Sequence, residues 1–293
     1  MGVYEEEDGV ATTSSIEVHP ANEGQARAWD GDEGEYWAAH ADWFETALAG
    51  YDPALLAAAA IEAGHAVLDL GCGTGVTTRA AARAAGPGGE ALGIDLSSQM
   101  VAEGRRRAEA EGLANARFVH GDAQIYPFPE GRFDVVVSRT AAMFFGDPVA
   151  ALANAGRALR PGGRLVLLTW QGPAPNEWLV EWATALTGGR GLPAPPPGAP
   201  GQHFADAGGV GQGEGAGFGD VTVEGVAAPF WAGPDPETAF GLILGQAAWM
   251  SEGLSDEEKA RAHDALRASL EAHATAGGVV YRSGAWLTTA RRP

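Results

Sequence analysis

The chain has 293 residues, a length that suits one elaborated domain, and 45% of them are hydrophobic, which supplies a core and excludes a disordered chain. The net charge is −19, of which −11 falls in the first 45 residues, and so acidic a surface repels phosphate backbones and anionic lipid, leaving nucleic acid and membrane as unexpected partners. One cysteine, Cys72, allows no internal disulfide, and Glu5-Glu6-Glu7-Asp8 stands where a secretory signal needs positive charge and then an apolar stretch, so a cytoplasmic location is expected.

Residues 1–21 are acidic and short of large apolar side chains, which reads as a mobile leader. An N-terminal helical cover is expected over 22–64. There Trp29, Tyr36, Trp37, Trp43 and Phe44 crowd together, and Gly34 to Ala49 and Pro53 to Ala63 read as two helices. The aromatic density reads as packing, with closure over a ligand as the alternative. Over 65–187, short apolar strands alternate with helical stretches, the pattern of a parallel sheet with helices on both faces. The predicted strands are Ala66–Leu70, Ala91–Asp95, Ala116–His120, Asp134–Ser138 and Leu165–Trp170, with helices at Thr77–Ala85, Ser98–Glu111 and Pro148–Leu159. Residues 188–219 hold 12 glycines and 5 prolines, a composition for a flexible segment. In 220–293, Val221–Val226 reads as a strand. A helical insertion over 235–276 holds two helices, Asp235 to Met250 and Ser255 to Thr275, the second opened by a capping box of Ser255 with Glu258. Val279–Arg291 closes the chain as a strand pair or one long bent strand.

Chemistry concentrates where the first predicted strand runs into a glycine-rich turn, Val67-Leu68-Asp69-Leu70-Gly71-Cys72-Gly73-Thr74-Gly75. Glycine permits positive φ and leaves no Cβ between main chain and ligand, so a cofactor can lie against this loop. Asp95 ends the second strand, 20 residues beyond Gly75, where a carboxylate accepts both hydroxyls of a ribose. Two features argue against a dinucleotide. Asp69 would repel a pyrophosphate while favouring the ammonium group of S-adenosylmethionine, and the loop is Gly-x-Gly-x-Gly, without the sixth-position glycine of the dinucleotide fingerprint.

With these residues in view, the chain resembles the class I S-adenosylmethionine-dependent methyltransferases. VLDLGCGTG looks like the family's first motif, GIDLS at 93–97 its ribose-binding strand, GDA at 121–123 its adenine-binding turn, FDVVVSR at 133–139 its fourth strand and LRPGGRLVLL at 159–168 the turn into its fifth. The resemblance implies a Rossmann-like α/β fold with a mostly parallel seven-stranded sheet and a helical cap. It implies that Gly71, Gly73 and Gly75, with Cys72 among them, receive the methionine part, Asp95 and Leu96 the ribose side, and Asp122 and Ala123 the adenine. Met100 packs on adenine in similar proteins, with an ordinary core methionine as the alternative. Cys72 itself reads as a small packing residue rather than a nucleophile.

The expected acceptor is a small molecule. The Asn/Asp-Pro-Pro-aromatic turn of amino-methylating nucleic-acid enzymes is replaced by Ser138-Arg139-Thr140-Ala141, and the lone cysteine cannot serve covalent base methylation. Continued through Ala142-Met143-Phe144-Phe145, this stretch puts an arginine and a hydrophobic group beside the expected methyl donor and looks like the branch holding quinone-biosynthesis carbon methyltransferases and natural-product tailoring enzymes. Arg139 is a candidate to sit beside the donor and orient an anionic or enol oxygen, or else it pairs with Asp134 or Asp147. His40 and His203 are the histidines that a closing pocket would reach, though a solvated surface position is the default for each. No metal constellation is seen, and none is expected. Similar enzymes usually carry a helix before the sixth strand, where this chain has the glycine-rich 206–215. The rival reading is a S-adenosylmethionine-binding regulatory or activator module without turnover.

Overall fold

The computed structural model of the protein describes residues 16–191 and 216–293. Strands β1 (Ala66–Leu70), β2 (Glu90–Asp95), β3 (Ala116–His120), β4 (Phe133–Arg139) and β5 (Leu159–Trp170) are parallel, in the order β3-β2-β1-β4-β5. The sheet continues through β8 (Gly278–Arg291) to β6 (Gly219–Gly233), β8 running antiparallel to both neighbours, and a two-residue β7 (Ala274–Thr275) also pairs with β8. The seven expected strands are thus present, with β7 a small addition. β1 is buried at every position, as a central parallel strand covered on both faces must be.

The helices of the repeating units are α5 (Val76–Ala85), α6 (Ser98–Ala110) and α7 (Pro148–Ala158). Local chemistry starts each one. Gly75, at φ 81°, leads into α5, the Ser97 hydroxyl accepts from Met100 N at α6, and the Asp147 carboxylate accepts from Ala150 N at α7. Three more helices pack with the far half of the sheet: α8 (Glu177–Leu186), α9 (Pro236–Ala247) and α10 (Asp256–Ala272), the last opened by the predicted capping box.

Three expectations need correction. The leader boundary at residue 21 is too late, because His19 already docks on the sheet by donating its N–H to Asp122 Oδ2 at 2.9 Å. The single helix expected over 34–49 is two, α2 (Asp32–Ala39) and α3 (Ala41–Leu48), broken at His40, whose carbonyl accepts from Trp43 N and Phe44 N. They follow α1 (Glu23–Trp29) and precede α4 (Asp52–Ala59). β6 runs to Gly233 rather than stopping at Val226, because Pro229 is tolerated on an edge strand, where its missing N–H breaks no central ladder. The closing segment takes the second of its two expected forms, one long strand. Most of the Gly/Pro segment, residues 192–215, with His203 and the 206–215 stretch, lies outside the described residues.

Four buried clusters result. One lies under β1, β4, β5 and α7, a second on the opposite face between α4, α5 and the sheet, a third joins α3, α8, α9, α10 and the outer strands, and a small fourth packs Cys72 and Phe118 against α6. The third gathers Trp43, Phe44, Trp182, Phe230 and Phe240, so the insertion braces the cover from behind. Tyr36 fixes that contact by donating its hydroxyl to the Leu242 carbonyl at 2.6 Å, over Gly245, where a Cβ would stand 2.4 Å from the tyrosine ring.

Candidate functional site

A cleft of about 970 Å³ opens at the carboxyl ends of β1, β2, β3 and β4, where an open α/β sheet binds its ligands. Its floor is the glycine-rich turn. Gly71 and Gly73 line it with φ of 65° and 53°, values that favour glycine, and a Cβ on Gly71 would stand 2.3 Å from that of Ala141. Gly75 is absent from the lining; it makes room instead for Phe118, whose ring edge would lie 2.4 Å from a Cβ there. Cys72 lines the floor, and burial with the nearby Asp95 and Asp69 charges pushes its thiol well above the usual range, as befits packing rather than attack.

Three carboxylates face this floor. Asp69 Oδ2 accepts from the Thr78 hydroxyl at 2.6 Å, while the buried Oδ1 has no partner. Burial raises its pKa to about 7, against the lowering effect of the Thr78 bond and the Arg139 charge. Asp95 ends β2 and braces the loop, accepting from Gly73 N at 2.7 Å and Ser97 N at 2.9 Å. Burial raises it too, partly offset by those main-chain bonds. Asp122 accepts from His19 N, from Asn22 Nδ2 at 3.0 Å and from Gln124 N at 2.9 Å. Leu96, Met100 and Ala123 complete the same wall, and Met100 packs so that its sulfur would lie 3.7 Å from a Cβ on Gly73.

Past β4 the chain turns sharply at Thr140, a β-branched residue held at φ 55°. Arg139 lines the cleft, but neither expected carboxylate takes it. Its Nη1 donates to Asp52 Oδ1 at 3.1 Å, from α4, while Asp134 pairs with Arg160 and caps Ala66 N, and Asp147 caps α7. His40 does not reach the cleft; it stacks on Tyr36 with ring centroids 4.1 Å apart and bonds the Tyr36 carbonyl.

The roof comes from residues that the motifs did not single out. Trp29, Trp37, Phe44 and Leu48 close over the floor, with Phe144 and Phe145 beside them. Trp37 stacks on Phe44 at 3.5 Å and 6°, and Trp29 meets both Trp37 and Phe144 edge-on. Glu45 hangs from α3 into the same space, held by the Thr74 hydroxyl at 3.1 Å and by Arg79 at 3.0 Å, itself almost wholly buried. The aromatic crowding at 29–44 and the hydrophobic group ending in Phe144-Phe145 are the sequence signals for this roof. No residue of α9 or α10 lines the cleft.

Among the described residues, one group has metal-ligand character, Glu177, Glu181 and His273, with ligand atoms within 4.8 Å of one another. It lies apart from the cleft and its carboxylates are engaged, Glu177 by Arg282 at 3.0 Å and Glu181 by the Ser269 hydroxyl. No described helix is long and apolar enough to cross a membrane.

Residues 67–163 match a family described as "Methyltransferase domain". Nocamycin O-methyltransferase of Saccharothrix syringae is 41% identical over 117 residues, covering 40% of this chain and 41% of the relative. Demethylmenaquinone methyltransferase of Geobacillus sp. (strain WCH70) is 35% identical over 113 residues, 39% of this chain and 48% of the relative. The chain therefore spans less than half the length of these curated relatives. Of solved structures, phosphoethanolamine N-methyltransferase 2 of Haemonchus contortus, in complex with S-adenosyl-L-methionine, superposes with a TM-score of 0.56 at 19% identity, over 94% of this chain and 60% of that one. The cyclase SpnF superposes at 0.51 with 20% identity, over 82% of this chain and 79% of that one. At these identities the structures establish the fold, and the second shows that the fold alone does not dictate the reaction.

Proposed function

We propose, from the premise that this chain belongs to the class I S-adenosylmethionine-dependent methyltransferases, that it transfers a methyl group from S-adenosylmethionine to an uncharged, largely apolar small molecule. The observation that carries the reading is the partnerless Asp69 Oδ1 beside a glycine floor, a buried acceptor in want of a cationic donor. Bound there, the sulfonium supplies an already activated methyl group. The chain's own residues then bind, orient and exclude water. Asp69 meets the ammonium group, the Gly71 and Gly73 main chain admits the methionine part, and Asp95 keeps lone pairs for ribose hydroxyls while its other contacts hold the loop rigid. The aromatic roof shields the reacting centre, and much of the acceleration follows from positioning in a dry site.

The acceptor class follows from the charges. Asp69, Asp95, Asp122 and Glu45 all line the cleft, and its one guanidinium among the described residues, Arg139, is already paired with Asp52. A phosphorylated or carboxylated acceptor would meet repulsion, whereas a quinone-like ring or an apolar secondary metabolite would meet Trp, Phe and Leu side chains. The same balance disfavours nucleic acid. Among the described residues no histidine lines the cleft, which favours an acceptor that reaches its nucleophilic form without a histidine base.

Transfer of a labelled methyl group from S-adenosylmethionine into small-molecule extracts tests the reading. Turnover is expected into apolar acceptors, and S-adenosylhomocysteine, not NAD, should raise the melting temperature. Binding of the homocysteine product without transfer into any acceptor would favour the rival, a cofactor-binding module. Binding of NAD alone would sink both.

A further inference from the structure

We propose that Asn22 and the His19 main chain form, with Asp122, a latch that the adenine amino group completes, so that cofactor binding locks the N-terminal cover. The proposal rests on the cofactor reading above. Asn22 is 1% exposed and sits 100 residues from its partner. Its side chain spans two parts of the core, donating to Asp122 Oδ1 at 3.0 Å and accepting from Gly146 N at 3.1 Å. Gly146 is glycine for this contact, because a Cβ would stand 2.0 Å from the Ala21 carbonyl oxygen. A second seat lies at the far end of α1, where Asp30 Oδ1 accepts from Ser98 N at 2.7 Å, beside the end of β2.

The acceptor count at Asp122 gives the latch its coupling. An ionised carboxylate offers about four lone-pair sites. Oδ1 takes Asn22 Nδ2 and Gln124 N, and Oδ2 takes His19 N, three donors among the described residues. One site on Oδ2 remains, and the resemblance of 121–123 to an adenine-binding turn supplies its donor. The cover and the cofactor therefore share one carboxylate without displacing each other. The coupling is geometric, because the adenine would be seated on the same carboxylate that anchors the cover, so that cofactor and cover are fixed to one point. Asn22, Gln25 and Trp29 line the cleft at this end, so the latched cover would lie against the bound cofactor.

Amide hydrogen exchange on the full chain tests this with two ligands that differ in one group. S-adenosylhomocysteine carries the adenine amino group; S-inosylhomocysteine carries an oxo group in its place. At saturation both should slow exchange in 71–75, but only the first should slow it in 16–30, and the second should bind on the order of ten- to a hundredfold more weakly. Asn22→Ala should keep the slowing in 71–75 and lose it in 16–30. Equal protection of 16–30 by both ligands, or protection that survives Asn22→Ala, would overturn the latch. Slowing confined to 71–75 with S-adenosylhomocysteine would overturn it while leaving the cofactor reading intact; no binding of that ligand at all removes the cofactor reading and the latch with it.

Discussion

The floor and the roof of the cleft are built in opposite ways. The floor is main chain and carboxylate, assembled from strand ends that follow one another along the chain: Gly71 and Gly73, then Asp95, then Asp122. The roof is ring surface from helices that precede the sheet, held to it by polar contacts far apart in sequence, Asn22 with Asp122, Glu45 with Arg79 and Asp52 with Arg139. A cofactor common to many enzymes needs a floor of fixed geometry, whereas acceptor choice needs a wall that can vary without disturbing the sheet. Substitutions in the floor should therefore cost stability and cofactor affinity together, and substitutions in the roof should separate the two.

The largest effect is expected at Gly75. It and Gly64 have nearly the same backbone, φ 81° and 87°, but a Cβ on Gly75 enters the Phe118 ring while one on Gly64 meets nothing within 4 Å. Gly64→Ala should cost about 1 kcal/mol from the left-handed backbone alone. Gly75→Ala should cost roughly 2–4 kcal/mol, because overpacking adds to that strain, and should weaken S-adenosylhomocysteine as the loop shifts. Thermal melts of both variants separate the terms. Equal losses would mean that Phe118 yields freely and that the loop is less rigid than the strand-end bonds imply.

That contrast also explains what could be read in advance. The strand Ala66–Leu70 was legible to the residue because a continuous apolar run ending in glycine carries its own structural instruction, and Asp95 was legible from its distance to the loop. The roof was not. Asn22 is an ordinary polar residue until Asp122 is folded against it, and the break at His40 leaves the hydrophobic spacing of 34–49 unchanged. Arg139 was legible as a cleft residue but not in its partner, since α4 brings Asp52 to it across 87 positions. Long-range polar pairs have no period to betray them.

An intermediate effect is expected at Trp37, a roof residue with no part in the carboxylate network. Trp37→Ala removes the stack on Phe44 and the edge contact with Trp29, together about 1–2 kcal/mol of packing. Turnover of an apolar acceptor should fall roughly tenfold through a raised KM, while the dissociation constant of S-adenosylhomocysteine moves less than about threefold. The measurement is a KM and kcat pair beside a calorimetric titration. A cofactor affinity that falls as far as the acceptor term would show that floor and roof are one energetic unit, against the division drawn above.

The smallest effect, and the finest test of the floor, is a shift in pH dependence at Thr78. Burial holds the Asp69 carboxyl at about 7 in the folded protein, above the ordinary carboxylate value of 3.8, so between those values the folded chain keeps a proton that the unfolded chain has lost. Stability from this group is therefore greatest at low pH, falls as pH rises through that window and levels off above about 7. Ligand binding has the opposite slope. An ammonium group favours the ionised form, so below pH 7 binding must expel the proton, and affinity should climb with pH until Asp69 is ionised before the ligand arrives. Thr78→Val removes the hydroxyl that donates to Oδ2 at 2.6 Å and lowers the carboxyl, which moves both features to higher pH. Calorimetry of S-adenosylhomocysteine in two buffers of different ionisation heat reads the expelled proton directly. Proton release should persist to higher pH in Thr78→Val than in the parent chain. An unchanged proton count across pH in both proteins would show that Asp69 does not face the ligand's positive charge, and the floor would then owe its selectivity to its glycines and Asp95 alone.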